Sequence, residues 1–225
     1  TSIQIRPGKT GGIAKLLARD DRIHEGDETV IISVANVNNG VGSNKSVTLT
    51  IKDNEFTPKV SLSVDKKTLE ESGDSTPVRI KLSGMSACNV TVTLGFSGTA
   101  KAGEDYEIGE TITIPSEKTQ VVTELLTVDD EIYEGNKTVI VEVENTGPCA
   151  VESGVQRQSI TIVDNDPPPV VTLSADSSLI SEEGGIAIIQ ATTNPASSKE
   201  IIVTLAIGAS STAPSTDFIL PLTII

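Results

Sequence analysis

The chain has 225 residues and a formal net charge of −14, with a pI near 4.4, which is enough length for roughly two domains of ordinary size. So acidic a chain excludes nucleic acid as a partner, since phosphate backbones are bound by basic faces. One histidine, no tryptophan, two tyrosines and three phenylalanines leave no acid–base histidine pair and almost no aromatic platform for a sugar.

No stretch is long and apolar enough to cross a membrane, which takes about 20 apolar residues in a row. The sequence opens at Thr1 on ordinary strand-like residues rather than on a secretory signal. The expectation is a piece of a larger protein whose signal or anchor lies outside it.

The chain repeats itself at roughly 110 residues. Asp20-Asp21-Arg22-Ile23-His24-Glu25-Gly26 returns as Asp129-Asp130-Glu131-Ile132-Tyr133-Glu134-Gly135. Asp53-Asn54-Glu55 returns as Asp164-Asn165-Asp166, and Val60-Ser61-Leu62-Ser63 as Val171-Thr172-Leu173-Ser174. Thr99-Ala100 through Asp105-Tyr106 returns as Thr212-Ala213 through Asp217-Phe218. The register predicts the second half of a repeat at 1–57, a complete repeat at 58–166 and the first half of another at 167–225. Pro58 and Pro167–Pro169 mark the boundaries, because proline cannot continue a sheet ladder.

Within the complete repeat, β-branched residues alternate with period two, as in Val139-Val141-Val143 and Ile160-Ile162, and turn residues such as Ser72-Gly73-Asp74 and Ala102-Gly103 separate the runs. Strands are predicted at 59–65, 77–83, 89–96, 110–114, 119–127, 138–144 and 156–163. Residues 12–19 look faintly helical but align with 119–127, so they are read as strand. Seven strands in a repeat of this length imply an all-β fold of tandem immunoglobulin-like sandwiches, one complete and two half repeats.

The acidic residues then sort to one end. In such a sandwich the loops after the first, third and fifth strands share an end with the exit of the seventh. Glu70 and Glu71 fall after the first strand, Asp105 after the third, Asp129, Asp130 and Glu134 after the fifth, and Asp164 and Asp166 at the exit. Two like charges about 4 Å apart cost roughly 4 kcal/mol at an effective dielectric near 20. A cluster of this kind either spreads into water or holds a cation. Calcium takes six to eight oxygen ligands, whereas magnesium keeps its waters. The absence of histidine or cysteine from the cluster argues against zinc, copper and iron.

Three motifs in order give the chain a family resemblance: Gly98-Thr99-Ala100 with Gly103-Glu104-Asp105-Tyr106, then Val128-Asp129-Asp130 through Thr138, then Ile162-Val163-Asp164-Asn165-Asp166. Together they resemble the Calx-beta family, which includes the calcium-binding regulatory domains of sodium–calcium exchangers and long extracellular adhesion arrays. The resemblance implies calcium as the bound ion, with ligands at Asp105, Asp129, Asp130, Glu134, Asp164 and Asp166 and at either Glu70 or Glu71. In the first half repeat it implies Asp20, Asp21, Glu25, Glu28, Asp53 and Glu55. In the last it implies Glu182 or Glu183, together with Asp217. One departure stands out: Lys137 occupies the position of Glu28, so the complete repeat is expected to hold fewer ions or to hold them more weakly.

Half a sandwich leaves strand edges and apolar faces unpaired. The two half repeats are therefore expected to complement each other between molecules. Cys88 and Cys149 fall in loops at the end opposite the acids, where a disulfide and a pair of free thiols both remain open. His24 lacks the second histidine of a zinc motif and is read as an exposed loop residue. Asn44-Lys45-Ser46, Asn89-Val90-Thr91 and Asn136-Lys137-Thr138 match the glycosylation tripeptide. Paired carboxylates on sandwich loops without a sugar platform make glycosidase chemistry a poor fit, and no catalysis is expected. The resulting expectation is a calcium-stiffened rod segment of an extracellular or cell-surface adhesion protein, whose partners are its neighbouring repeats and an unidentified adhesion ligand. A calcium sensor of a membrane transporter and an accessory module of a secreted enzyme are the alternatives.

Overall fold

The computed structural model describes residues 1–43 and 45–220; Asn44, in the first glycosylation tripeptide, lies outside them. Three strands precede the complete repeat: β1 (Ile23–His24), β2 (Glu28–Ser33) and β3 (Ser46–Ile51). The repeat itself carries β4 (Lys59–Val64), β5 (Thr68–Glu70), β6 (Ser75–Leu82), β7 (Met85–Ser86), β8 (Val90–Gly98), β9 (Tyr106–Glu107), β10 (Thr111–Ile114) and β11 (Gln120–Thr127). It continues with β12 (Ile132–Tyr133), β13 (Lys137–Asn145), β14 (Val151–Glu152) and β15 (Arg157–Val163). Beyond it lie β16 (Val170–Ala175), β17 (Ile189–Asn194) and β18 (Ala196–Ser197).

Two five-stranded sheets form the sandwich, in the orders β10-β8-β13-β15-β5 and β14-β4-β6-β11-β9. Each of the seven predicted strands is present. The first, at 59–65, is β4 and runs antiparallel to β6; just beyond the predicted span a further short strand, β5, crosses over and runs parallel to β15 through Thr68↔Thr161, Leu69↔Ile162 and Glu70↔Val163. Alternation explains the layers. Along β6 the side chains of Thr76, Val78, Ile80 and Leu82 are buried, and along β8 those of Val90, Val92 and Leu94. They meet Leu125, Val139, Val141, Ile160 and Ile162 from the facing strands in one core, the arrangement of two inner faces interdigitating. Gly98 shows why a side chain is excluded at the end of β8: its φ is +117°, and a Cβ there would lie 2.2 Å from the carbonyl oxygen of Thr138.

The flanking segments form two hairpins, β2–β3 and β16–β17. Their apolar residues remain open to solvent, with Ile31 at 67% and Leu173 at 55% exposure. Residues 12–19 form no strand, contrary to expectation. In the complete repeat the matching strand β11 is held by seven residue pairs to β6, and residues 12–19 have no such neighbour. No helix is long and apolar enough to cross a membrane among the described residues. Cys88 and Cys149 are joined in a disulfide, which ties the loop between β7 and β8 to the loop between β13 and β14.

Candidate metal centre

The acids of the complete repeat do converge at one tip, through backbone geometry that can be followed residue by residue. Beyond β5 the chain turns, with the Glu71 N–H donating to the Val163 carbonyl at 3.0 Å. Thr127, buried at the end of β11, donates its hydroxyl to the carbonyls of Glu70 and Asp74 at 2.8 and 3.0 Å. These bonds turn Glu71 inward, where it is only 3% exposed, while Glu70 faces solvent. Asp105 is also 3% exposed and accepts the Lys101 N–H at 2.6 Å. Asp164, just past β15, accepts the N–H groups of Glu134 at 2.7 Å and of Gly135 on one oxygen, and that of Asp166 at 2.9 Å on the other. Asp129 accepts from Asn165 at 3.1 Å, and Asp130 from the Ile132 N–H at 2.7 Å.

Two groups of carboxylates result. Oxygens of Glu71, Asp105 and Glu134 lie within 4.8 Å of one another, and so do oxygens of Glu71, Asp164 and Asp166. Glu71 belongs to both. Asp129 and Asp130 are exposed, outside these groups, but their charges reach them. Burial, reinforced by the charges of Asp130, Asp164 and Glu134, raises the Glu71 carboxyl to about 7. Burial and the neighbouring Asp164, Asp130 and Asp129 likewise push Asp166 upward. Burial opposes the charge of Asp164 as well, yet the three N–H groups outweigh it and hold this carboxyl below its ordinary range.

Lys137 supplies one internal cation. Its ammonium donates to Asp105 Oδ1 at 2.5 Å and to Glu134 Oε2. Burial works against the charged ammonium, but these two acids outweigh it and hold Lys137 above its ordinary value. The departure visible in the sequence is thus an ion pair sitting inside one of the two acid groups. The other group contains no ion pair among the described residues, with only the more distant charge of Lys199 acting on Asp164, and it contains a buried oxygen, Asp166 Oδ2, without a hydrogen-bond partner. Buried polar atoms are normally satisfied. An all-oxygen set with one orphaned carboxylate oxygen and one carboxyl that resists ionisation fits a hard divalent cation such as calcium.

The first segment reproduces this network. Asp53 accepts from Glu25 at 3.0 Å and Gly26 at 2.6 Å on one oxygen and from Glu55 at 3.0 Å on the other. Asp20 accepts from Asn54 at 3.1 Å and Asp21 from the Ile23 N–H at 2.8 Å. A shallow cavity of about 40 Å³ lies between these acids and Glu28. His24 is half-buried, with Nδ1 2.8 Å from Asp53 Oδ2, which corrects its reading as an exposed loop residue. Among the described residues, the acids here form no three-carboxylate group at the spacing found in the complete repeat. Glu182, Glu183 and Asp217 are exposed and join no such group among the described residues. A larger open groove of about 510 Å³ runs beside Phe96 and Tyr106, and none of the candidate ligands lines it.

A sandwich whose loops gather acids at one tip, with one carboxylate oxygen there unpartnered, defines the class as a β-module with an acidic tip able to hold a hard divalent cation. The Calx-beta domain family model matches residues 53–166, just over half of the chain, and the chain belongs to that family. Similar solved structures include CBD12 from CALX1.2 (18% identity, 47% of this chain and 44% of that chain, TM-score 0.42) and the apo-form Calx CBD1 domain (18% identity, 48% and 99%, TM-score 0.40). A structural-genomics protein of unknown function from Bacteroides ovatus is similar at 12% identity over 60% of this chain and 56% of that chain, with a TM-score of 0.38. The chain therefore spans less than half the length of the first of these. No curated protein matches it by sequence.

Proposed function

We propose that the chain is a non-catalytic, calcium-binding repeat segment of a large extracellular or surface adhesion protein, in which calcium at each module tip stiffens the junction with the next. The observation that carries the reading is the pair of acid groups meeting at Glu71, one of them with the unpartnered Asp166 Oδ2. In the complete repeat Glu71, Asp164 and Asp166 would hold the ion, with Asp129 and Asp130 at its rim and Asp105 and Glu134 available if Lys137 withdraws. Calcium would supply positive charge where the chain has gathered negative charge. Because an ion that binds only the ordered tip stabilises it by mass action, occupancy stiffens the loops from which the next repeat departs.

The test is isothermal titration of the full chain with calcium, beside a form carrying Asp129→Asn and Asp130→Asn. A structural array module binds at about 10⁻⁴–10⁻³ M, by analogy with extracellular helix–loop sites, and loses heat in the double variant. Binding near 10⁻⁷–10⁻⁵ M, the range of sensors, replaces the adhesion reading with a regulatory one. No binding in either form sinks both.

A further inference from the structure

The groove beside Phe96 and Tyr106 originates in an interrupted ladder. One edge of β8 is covered by β10 from Val90 to Thr93, and the other by β13 from Thr93 to Gly98. The last bond on the β10 side runs from the Leu94 N–H to the Glu110 carbonyl at 2.8 Å. Backbone groups alternate in direction along a strand, so the N–H and C=O of Phe96 point the same way as those of Leu94. Continued in that register, the residue opposite Phe96 would be Ile108. The chain there has instead crossed to the facing sheet, where Tyr106–Glu107 form β9 and pair with β11. Gly95–Gly98 are left with β13 as their one partner strand among the described residues.

The opening this leaves is suited to an extended chain. It encloses about 510 Å³, within the range of built binding clefts. The rings of Phe96 and Tyr106 line it, with centroids 6.0 Å apart. Tyr106 is 2% exposed, and its hydroxyl has no hydrogen-bond partner among the described residues. The exposed acids Glu110 and Glu144 line it as well. Gly95 puts no side chain between the strand edge and Glu144, whose Cβ lies 3.7 Å from where a Gly95 Cβ would stand. Neither acid is ion-paired among the described residues, whereas the nearby Glu142 meets Arg157 at 3.7 Å.

Open backbone groups along an edge select a β-strand as the occupant. Side chains of that strand would alternate between two faces. Those turned toward Phe96 and Tyr106 meet apolar surface, and those turned toward Glu110 and Glu144 meet unpaired negative charge. We propose that the free edge of β8 at Gly95–Gly98 is a docking site for an extended strand of another protein, one that alternates apolar residues with lysine or arginine. The site is independent of the calcium reading, since no candidate ligand lines the groove.

The probe is an end-capped, fluorescently labelled Lys-Val-Lys-Val-Lys-Val-Lys peptide, titrated with the full chain in EGTA at physiological salt, which screens the chain's general acidity. Anisotropy is expected to show saturable binding. Glu110→Lys with Glu144→Lys is expected to weaken it about tenfold or more, as attraction at the rim turns to repulsion, with the circular dichroism spectrum unchanged. At saturating peptide, amide hydrogen exchange of wild type is expected to slow about tenfold at Phe96 and to stay the same at Val92, which β10 already covers. Failure to bind overturns the proposal and assigns the two acids to guarding an open edge against other strands. Binding that leaves exchange at Phe96 unchanged is attraction to an acidic surface and overturns strand addition. Binding that ignores both charge reversals overturns the choice of a basic partner.

Discussion

Glu71→Gln makes the calcium-free protein more stable and at the same time removes its response to calcium. Glu71 is 3% exposed, and no hydrogen bond reaches its side chain from the tip among the contacts described. Its carboxyl is raised from 4.5 to about 7, which at 1.36 kcal/mol per pH unit corresponds to about 3 kcal/mol. Between those two pH values the unfolded chain has already released this proton while the folded chain retains it. Stability of the calcium-free form therefore falls as pH rises through the window, and the cost is complete above about pH 7. Glutamine keeps the shape without the charge. In EGTA at pH 8 the variant is expected to gain about 3 kcal/mol, roughly 10 °C in midpoint for a module of this size, and to gain nothing at pH 4. Adding calcium raises the wild-type midpoint and leaves that of the variant in place. Thermal unfolding followed by circular dichroism at both pH values provides the comparison. A variant less stable than wild type in EGTA at pH 8 would refute the argument, because it would show Glu71 to be favourably placed without an ion.

Two further substitutions test the rest of the tip and its opposite end. Lys137→Ala leaves the buried Asp105 without its ammonium and should cost about 3–5 kcal/mol in EGTA, as breaking a buried pair does, with calcium restoring much of the loss; urea midpoints in both conditions measure it. Cys88→Ser with Cys149→Ser opens a cross-link spanning 61 residues and should cost about 4 kcal/mol on the chain-entropy account. It should leave the response that depends on Glu71 unchanged, because the bond lies at the end of the complete repeat away from that tip.

The strand plan was readable because period-two alternation of valine and isoleucine directly reports which face is buried, and every predicted strand of the complete repeat lies within a few residues of its observed counterpart. What alternation does not encode is the crossing to the other sheet just after the first strand. Leu69 is buried like Leu62, and nothing in their spacing says that the two serve different sheets. The acid tip was readable from loop position alone, yet the choice between Glu70 and Glu71 depends on a hydroxyl bond from Thr127 that has no sequence signature. Lys137 was visible as a departure from Glu28, but its contact with Asp105 depends on how β13 enters the tip. Lys199 was missed. Aligning the repeats puts it opposite Cys88, a substitution without meaning until its charge is seen to act on Asp164. Residues 12–19 show the limit of alignment, since correspondence with a strand in another repeat does not make a strand without a neighbour to pair with.

The crossing of β5 also decides how the module resists being pulled. The chain enters the module at β4–β5 and leaves at β15, so tension applied across the module drags these segments in opposite directions. Their parallel pairing, three residues long and flanked by bonds from Thr161 to the Lys67 carbonyl and from Glu71 to the Val163 carbonyl, lies along that pull. Such bonds are loaded together in shear and must fail together, unlike a hairpin that unzips one rung at a time. Glu71 and Asp164 stand just beyond the last rung on either strand. An ion held between them would sit across the line of slip, fastening the clamp at the point where sliding has to begin.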